Sequence, residues 1–454
     1  MRGSWSRRDF LMAAGAAAVG SVGAQQPGER PARGEGVRAI TPRGRVPVSL
    51  IIDDSTCLVN LAHFAIPQFA EVFPDQYKQP WRDLPREIPD AFVREFGEWC
   101  AERGVKGKYS IVPYPACVGW VDRELPGWSR RELERSLDLV RTLMLPSWDV
   151  HPEMVSHTWV VDIRTGRPYP ERTDRYMENW RWTDGRSAVE IGDYLAYALR
   201  ILKGAGLPCE GITTPGGFGN RALPELSKGT LQAVRDVYGA EIPHYFRHLY
   251  TDDRSVAPRV ENAAGLEGPN PECVVSIIGC TGDWFGGWDG LEIGKADQFI
   301  TEDGQGGRLT EVIARGDEPA ILVGHWPGFY CNGQGDGFAI FRQVVQRLHA
   351  HYDNLIWMKL SEISRYWAAR ELTAIRRDGP SVGFRAPFAC PGFTVALDPP
   401  IPPGPPRLGA SPPLRGVARV ADLTPGTWTT TKEGLIACFD LPKGSSTLEI
   451  GPPA

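Results

Sequence analysis

The stretch Val48-Ser49-Leu50-Ile51-Ile52-Asp53-Asp54 constrains this chain more than any other. A short β-branched apolar run of this kind reads as a strand buried on both faces, as in a parallel sheet. It ends abruptly in two adjacent carboxylates. Burying a carboxylate is costly unless it is paired, hydrogen-bonded or bound to a metal. At the C-terminal end of a barrel strand, such residues face the mouth where active sites are built. Asp53 and Asp54 therefore read as a catalytic base and a metal ligand. An Asx turn leading into a helix N-cap is the competing local explanation for Asp53-Asp54-Ser55-Thr56.

Downstream, apolar runs alternate with amphipathic segments. Helical spacing marks Asp90 to Arg103, Ala188 to Leu202, Leu223 to Tyr238 and Phe338 to His351. Ser129-Arg130-Arg131-Glu132 is a capping box that opens a helix to about Leu145. Strands are expected at Lys108 to Val112, Asp149 to His157, Cys209 to Thr214, Pro243 to Leu249, Cys273 to Gly279, Ala320 to Val323 and Asn354 to Met358. The segment between the Asp53-Asp54 strand and Pro89 reads as irregular. About eight strands alternating with helices predict an α/β fold, a closed or nearly closed (β/α)7–8 barrel over 46–372. A doubly wound sheet is the alternative, but no Gly-rich dinucleotide fingerprint follows the first strand. From about Thr373 helical periodicity stops and Pro-rich turns separate short apolar runs. Residues 373–454 therefore read as a small β-rich appendage that covers the barrel.

The first 24 residues carry Ser6-Arg7-Arg8-Asp9-Phe10-Leu11 ahead of a small-residue apolar stretch ending near Ala24. They resemble a twin-arginine signal peptide, which implies a periplasmic or secreted protein. Residues 25–45 are polar and rich in Gly, Pro and Arg, and read as a linker. No later stretch is long and apolar enough to span a bilayer. A net charge of -5 offers no footprint for nucleic acid. The nine Cys include no C-x-x-C pair, which argues against a zinc ribbon or a thioredoxin-like site. Several of the 15 Trp lie in Gly/Pro-rich loops, where exposed rings can stack on sugar faces.

Polar residues gather at the ends of the expected strands: Asp53 and Asp54, His157-Thr158, Thr213-Thr214, Asp283-Trp284 and His325. In a barrel these ends share one rim. Their order from about 46 to 368 resembles the polysaccharide deacetylase (NodB-like) superfamily, whose fold is an irregular barrel of the glycoside hydrolase/deacetylase type. Ile51-Ile52-Asp53-Asp54 matches its opening motif. The resemblance implies that Asp53 is the general base and Asp54 a metal ligand. Glu153-Met154-Val155-Ser156-His157-Thr158 matches its second motif, which makes His157 a metal ligand. Ile321-Leu322-Val323-Gly324-His325 matches its late strand, which makes His325 the general acid. Asp283-Trp284 matches its fourth, Trp-containing motif.

Two positions depart from that pattern. Val161 stands where the second metal histidine belongs, and Thr213 where an Arg orients the catalytic Asp. A site with three protein ligands and an open position then needs a third ligand, for which Asp162, His63 and His325 are the candidates. The expected cofactor is a divalent metal, zinc first. The expected substrate is an acylated carbohydrate, flanked by Trp159, Asp283, Trp284 and Trp326. Two rival readings stay open: a glycosidase using Asp53, Asp283 and Asp289, and a degenerate barrel that binds glycan without turnover.

Overall fold

The computed structural model describes residues 26–451. The expected signal peptide lies outside the described residues. Among those described, no helix is long and apolar enough to cross a membrane.

The Val46–Asp53 strand lies at the centre of a parallel sheet. Gly107–Ser110 pairs along one edge and leads on to Trp148–His151. The other edge is shared between Ala320–His325 and Leu355–Trp357. The strand side chains alternate with the two-residue period of extended chain. Val48, Leu50 and Ile52 enter a core with Phe96, Tyr109 and Trp326. Ile51 faces the opposite way, into a core with Ile321, Val323, Phe246 and Trp367. All four strand residues are fully buried, and each such side chain contributes about 1.5–3 kcal/mol.

A second sheet holds Gly211–Thr213, His244–Leu249 and Glu272–Gly279 in parallel, with Arg259–Ala264 antiparallel at its edge. The two sheets meet at two seams. At one, Glu153 and Thr213 form a lone parallel bridge, and Thr213 N donates to Pro152 O over 3.0 Å. At the other, Cys280 N donates to Ile321 O over 2.8 Å, and Val323 N to Thr281 Oγ1 over 3.1 Å. The expected α/β architecture is present as two sheets joined edge to edge at these seams; among the described residues no single sheet runs continuously into a closed barrel. Side chains wedge both seams. His151 and His244 bring their Nε2 atoms to 2.9 Å across the first. A Cβ on Gly211 would stand 2.7 Å from both of those atoms. At the second seam, a Cβ on Gly279 would meet Val323 Cγ2 at 2.5 Å.

Two local expectations also change. The strand expected to run to His157 stops at His151. Pro152 follows and has no N–H for a ladder. The chain beyond it loops, with Met154 and His157 at φ of 51° and 64°. The stretch expected to be irregular before Pro89 contains the helix Leu61–Val72. Pro67 inside that helix obscured it, because proline removes a helical hydrogen bond. The capping box at Ser129 forms as the sequence indicates, and a second one forms at Ser187.

Beyond the helix Leu360–Leu372 lie two β-sheets. One contains Cys390–Leu397, Thr427–Thr431 and Gly434–Leu441; the other contains Ala374–Asp378, Ser381–Ala386 and Gly444–Ile450. Val37–Ala39 adds to the first as an antiparallel strand. The described part of the stretch 25–45 read as a linker is thus paired: Gln26 to Glu29 bond Asn262 and Ala263 of the second sheet's edge strand, Val37–Ala39 joins the C-terminal sheet, and Tyr366 OH donates to Ile40 O over 2.7 Å.

Candidate active site and metal centre

Asp53 is the last residue of its strand and pairs in register with His325 on the neighbouring one. In continued extended chain, Asp53 and Asp54 would point to opposite faces. They do not, because Asp54 takes a φ of 59°. A non-glycine residue in this left-handed region costs about 1–3 kcal/mol, and such strain collects at functional sites. The turn brings both carboxylates into one buried cluster.

Lys108 reaches Asp53 from the next strand. Its side chain is fully buried, and Nζ donates to Asp53 Oδ1, to Ile52 O over 3.0 Å and to Ser110 Oγ over 2.8 Å. All three ammonium donors are used. Burial pushes the Asp53 carboxyl up to about 6, against the pull of Lys108. An orienting cation is thus present beside Asp53, although Thr213 stands where an arginine was expected.

Asp54, Glu153 and His157 bring one ligand atom each to within 4.8 Å of one another, all three being buried. Glu153 divides its two oxygens. Oε2 accepts from Asp54 N over 2.8 Å, and Oε1 lies 3.4 Å from His157 Nε2. His157 Nε2 also lies 2.7 Å from Asp54 Oδ1, yet Oδ1 makes no hydrogen bond of acceptable geometry. Three ligand atoms converging in one buried cluster are what a cation requires. Burial works against charge on the His157 imidazole, but Asp54 and Glu153 outweigh it and hold its pKa well above the usual range. In Glu153, burial is outweighed by the His157 imidazole, which holds the carboxyl low.

The loop that carries His157 is fixed by Glu178. Its carboxylate accepts from Val155 N over 3.2 Å, from Ser156 N over 3.1 Å, and from His157 N and Tyr194 OH. Burial raises Glu178 to about 7, against these donors.

His325 completes the cluster. Its Nδ1 lies 2.7 Å from Asp283 Oδ2, which leaves Nε2 free, and its side chain keeps 25% of its surface accessible. Burial opposes its charge, but Asp54, the hydrogen-bonded Asp283 and Asp53 together raise it to about 10.

Charge decides what this cluster can hold. Four carboxylates (Asp53, Asp54, Glu153 and Asp283) face one ammonium, and unpaired buried charge is strongly unfavourable. A divalent cation among these carboxylates would offset charge that one ammonium alone does not cover. The residues therefore fit a divalent metal, and the orphaned Asp54 Oδ1 is the atom that asks for it.

A second group, Asp149 with His151 and His244, also has the donors to hold a divalent cation. Most of its donor atoms already have partners, His244 Nδ1 being the exception. The two imidazoles form their own pair, and Asp149 accepts from Ser361 N over 2.6 Å and Ser361 Oγ over 2.8 Å.

The structure thus gathers Asp53, Asp54, His157, Asp283 and His325, and it places other expected residues elsewhere. Asp162 sits in the turn of a short hairpin, bound to Arg164 at 3.3 Å. His63 lies on the helix Leu61–Val72, with Nδ1 2.9 Å from Leu84 O. Neither joins the cluster, because each is committed to a local partner. Trp326 is fully buried among Phe92, Phe96 and Tyr109, so it is a core residue and no sugar can stack on it. Trp159 is buried too, with the Arg172 guanidinium 4.4 Å above its ring. Trp284 is half-buried against Phe299. The rings that border the cluster are different ones. Phe69 lies 6.5 Å from His157, and the half-buried Trp180, Trp288 and Tyr77 surround Phe69 at 5.0, 5.8 and 5.1 Å.

Lys108, Glu178, Trp180 and Trp288 were not singled out from sequence, and Glu153 was noted only as preceding His157. One signal was available: a lysine inside a short buried strand needs an anionic partner.

No family model matches the chain, and no curated protein matches it. Among solved structures, the chain is similar to a probable polysaccharide deacetylase from Pseudomonas aeruginosa PAO1. That match has 11% identity and a TM-score of 0.37, covering 72% of this chain and 91% of the other. It is also similar to PuuE allantoinase, with 12% identity and a TM-score of 0.36, over 72% of this chain and 91% of the other. Likeness at this level assigns no residue a role.

Proposed function

We propose that the protein is an exported, metal-dependent hydrolase that removes acyl groups from a carbohydrate. One observation carries the reading: the Asp54–Glu153–His157 cluster adjoins Asp53 and His325, which stand opposite each other in register. Asp54 and His157 would hold a divalent metal. When bound there, such an ion supplies Lewis-acid polarisation of an acyl carbonyl and lowers the pKa of water. The remaining roles belong to the chain. Asp53 takes the proton of the attacking water, and Lys108 keeps Asp53 ionised and aimed. His325 delivers a proton from Nε2 to the leaving nitrogen or oxygen. Asp283 fixes its orientation through Nδ1. Trp180 and Trp288 offer ring faces to the sugar. Export rests on the Arg7-Arg8 segment.

The glycosidase reading is less well supported. It needs two carboxyl groups flanking the scissile bond, whereas Asp53 is bound to Lys108, Asp283 to His325 and Asp289 to Gln79 and Leu291 N. Acetate release from acetylated oligosaccharides by the metal-loaded protein tests the proposal. The activity is expected to disappear in Asp53→Asn. Release that survives this change removes Asp53 as the base.

A further inference from the structure

Glu153 changes the chemistry of the proposed metal centre. Resting on the reading of Asp54 and His157 as ligands, we propose that Glu153 is the third ligand. The resulting set of two carboxylates and one imidazole discriminates only weakly between zinc and manganese.

Three features support Glu153 over other donors. It is buried beside the two ligands, and its Oε1 is 3.4 Å from the nitrogen that must bind the ion. Its other oxygen is anchored by Asp54 N at 2.8 Å, which fixes the direction of Oε1. Anchoring of this kind by an outer hydrogen bond is characteristic of metal-binding carboxylates. The buried Asp54 Oδ1, which lacks a hydrogen bond, converges on the same point. Asp162 and His63 are held elsewhere by Arg164 and Leu84.

The consequence follows from donor softness. Imidazole nitrogen suits zinc, whereas carboxylate oxygen suits harder ions such as manganese and magnesium. Zinc still binds a mixed nitrogen and oxygen site more tightly than manganese does. Exchanging one imidazole for a carboxylate narrows that gap. Two carboxylates also neutralise a divalent ion fully, which favours its retention in a buried site.

The test measures binding, not turnover. Chelator-stripped full-length protein is titrated with Mn2+, followed by electron paramagnetic resonance, and then competed with Zn2+. Folding of each variant is checked by circular dichroism. Glu153→Gln is expected to weaken both ions by at least about tenfold, and Glu153→His to raise the Mn2+/Zn2+ Kd ratio by a similar factor. Unchanged affinity in Glu153→Gln removes Glu153 as a ligand, even if Glu153→His fails to fold. An unchanged ratio in a folded Glu153→His overturns the discrimination. Wild-type protein that binds neither ion overturns the metal-dependent reading itself.

Discussion

The ammonium of Lys108 ends on Asp53, and that contact distinguishes two carboxylates that are neighbours in sequence. Asp53 is held by a lysine with no access to solvent, while Asp54 faces His157 and Glu153. Adjacent, chemically identical side chains thus acquire different tasks from the strands beside them.

Breaking that pair has two separable effects. Lys108→Met leaves a buried carboxylate unpaired, so the protein is expected to lose about 3–5 kcal/mol of stability. Acyl hydrolysis by the fraction that remains folded is expected to fall at least about a hundredfold. Urea unfolding measures the first effect and acetate release the second. A fully stable, fully active Lys108→Met protein contradicts the assignment.

Asp283 acts on His325 through Nδ1, so its effect belongs in the pH profile. A general acid must be protonated, and His325 is raised to about 10. Activity is therefore expected to fall on the alkaline side, where His325 loses its proton. Asp283→Asn removes one of the charges that favour the imidazolium. The alkaline limb of kcat/KM should then move to lower pH. A limb that stays in place argues that His325 is not the proton donor.

Glu178 touches no candidate metal ligand atom, yet three backbone N–H groups around His157 converge on its carboxylate. Glu178→Ala frees those donors and loosens the loop. The expected result is a drop of about 10–100-fold in metal affinity, the range seen when supporting groups are lost. Calorimetric titration with Mn2+ measures it. Unaltered affinity would make Glu178 a purely structural residue.

The His151–His244 pair predicts an acid-sensitive fold. Burial lowers His244 to about 4 and His151 well below its ordinary value. The unfolded chain then binds protons that the folded one refuses. Stability from His244 is present in full above about pH 6.5 and is lost as pH falls toward 4. That loss amounts to about 3 kcal/mol. Stability measured in urea from pH 7 to 4 should show less of this decline in His244→Gln than in the wild type. Equal declines would sink the prediction.

What the sequence made legible was local. The apolar strand ending in Asp53-Asp54, the box at Ser129 and the helices Ala188–Gly204 and Leu223–Tyr238 rest on period and capping within a few residues. The gathering of Asp53, Asp54, His157, Asp283 and His325 followed from their positions near strand ends. What stayed hidden depends on partners far apart in the chain. Lys108 acquires meaning only from Asp53, 55 residues away, and Glu178 only from the His157 loop. Trp326 lies in the core; a tryptophan after a strand ending in His looks the same in sequence whether it faces a cleft or a core. The two seams could not be read from strand count, since one depends on His151 and His244 meeting across it and the other on Gly279 leaving room for Val323.

The most direct test of the account is metal content. Apoprotein dialysed against equimolar Mn2+ and Zn2+ and then washed is analysed by inductively coupled plasma mass spectrometry, beside His157→Ala and Asp54→Ala. The account predicts about one divalent ion per wild-type chain, as a single three-ligand site requires, and nearly none in either variant. An ion retained undiminished in both variants, or no ion in the wild type, would contradict it.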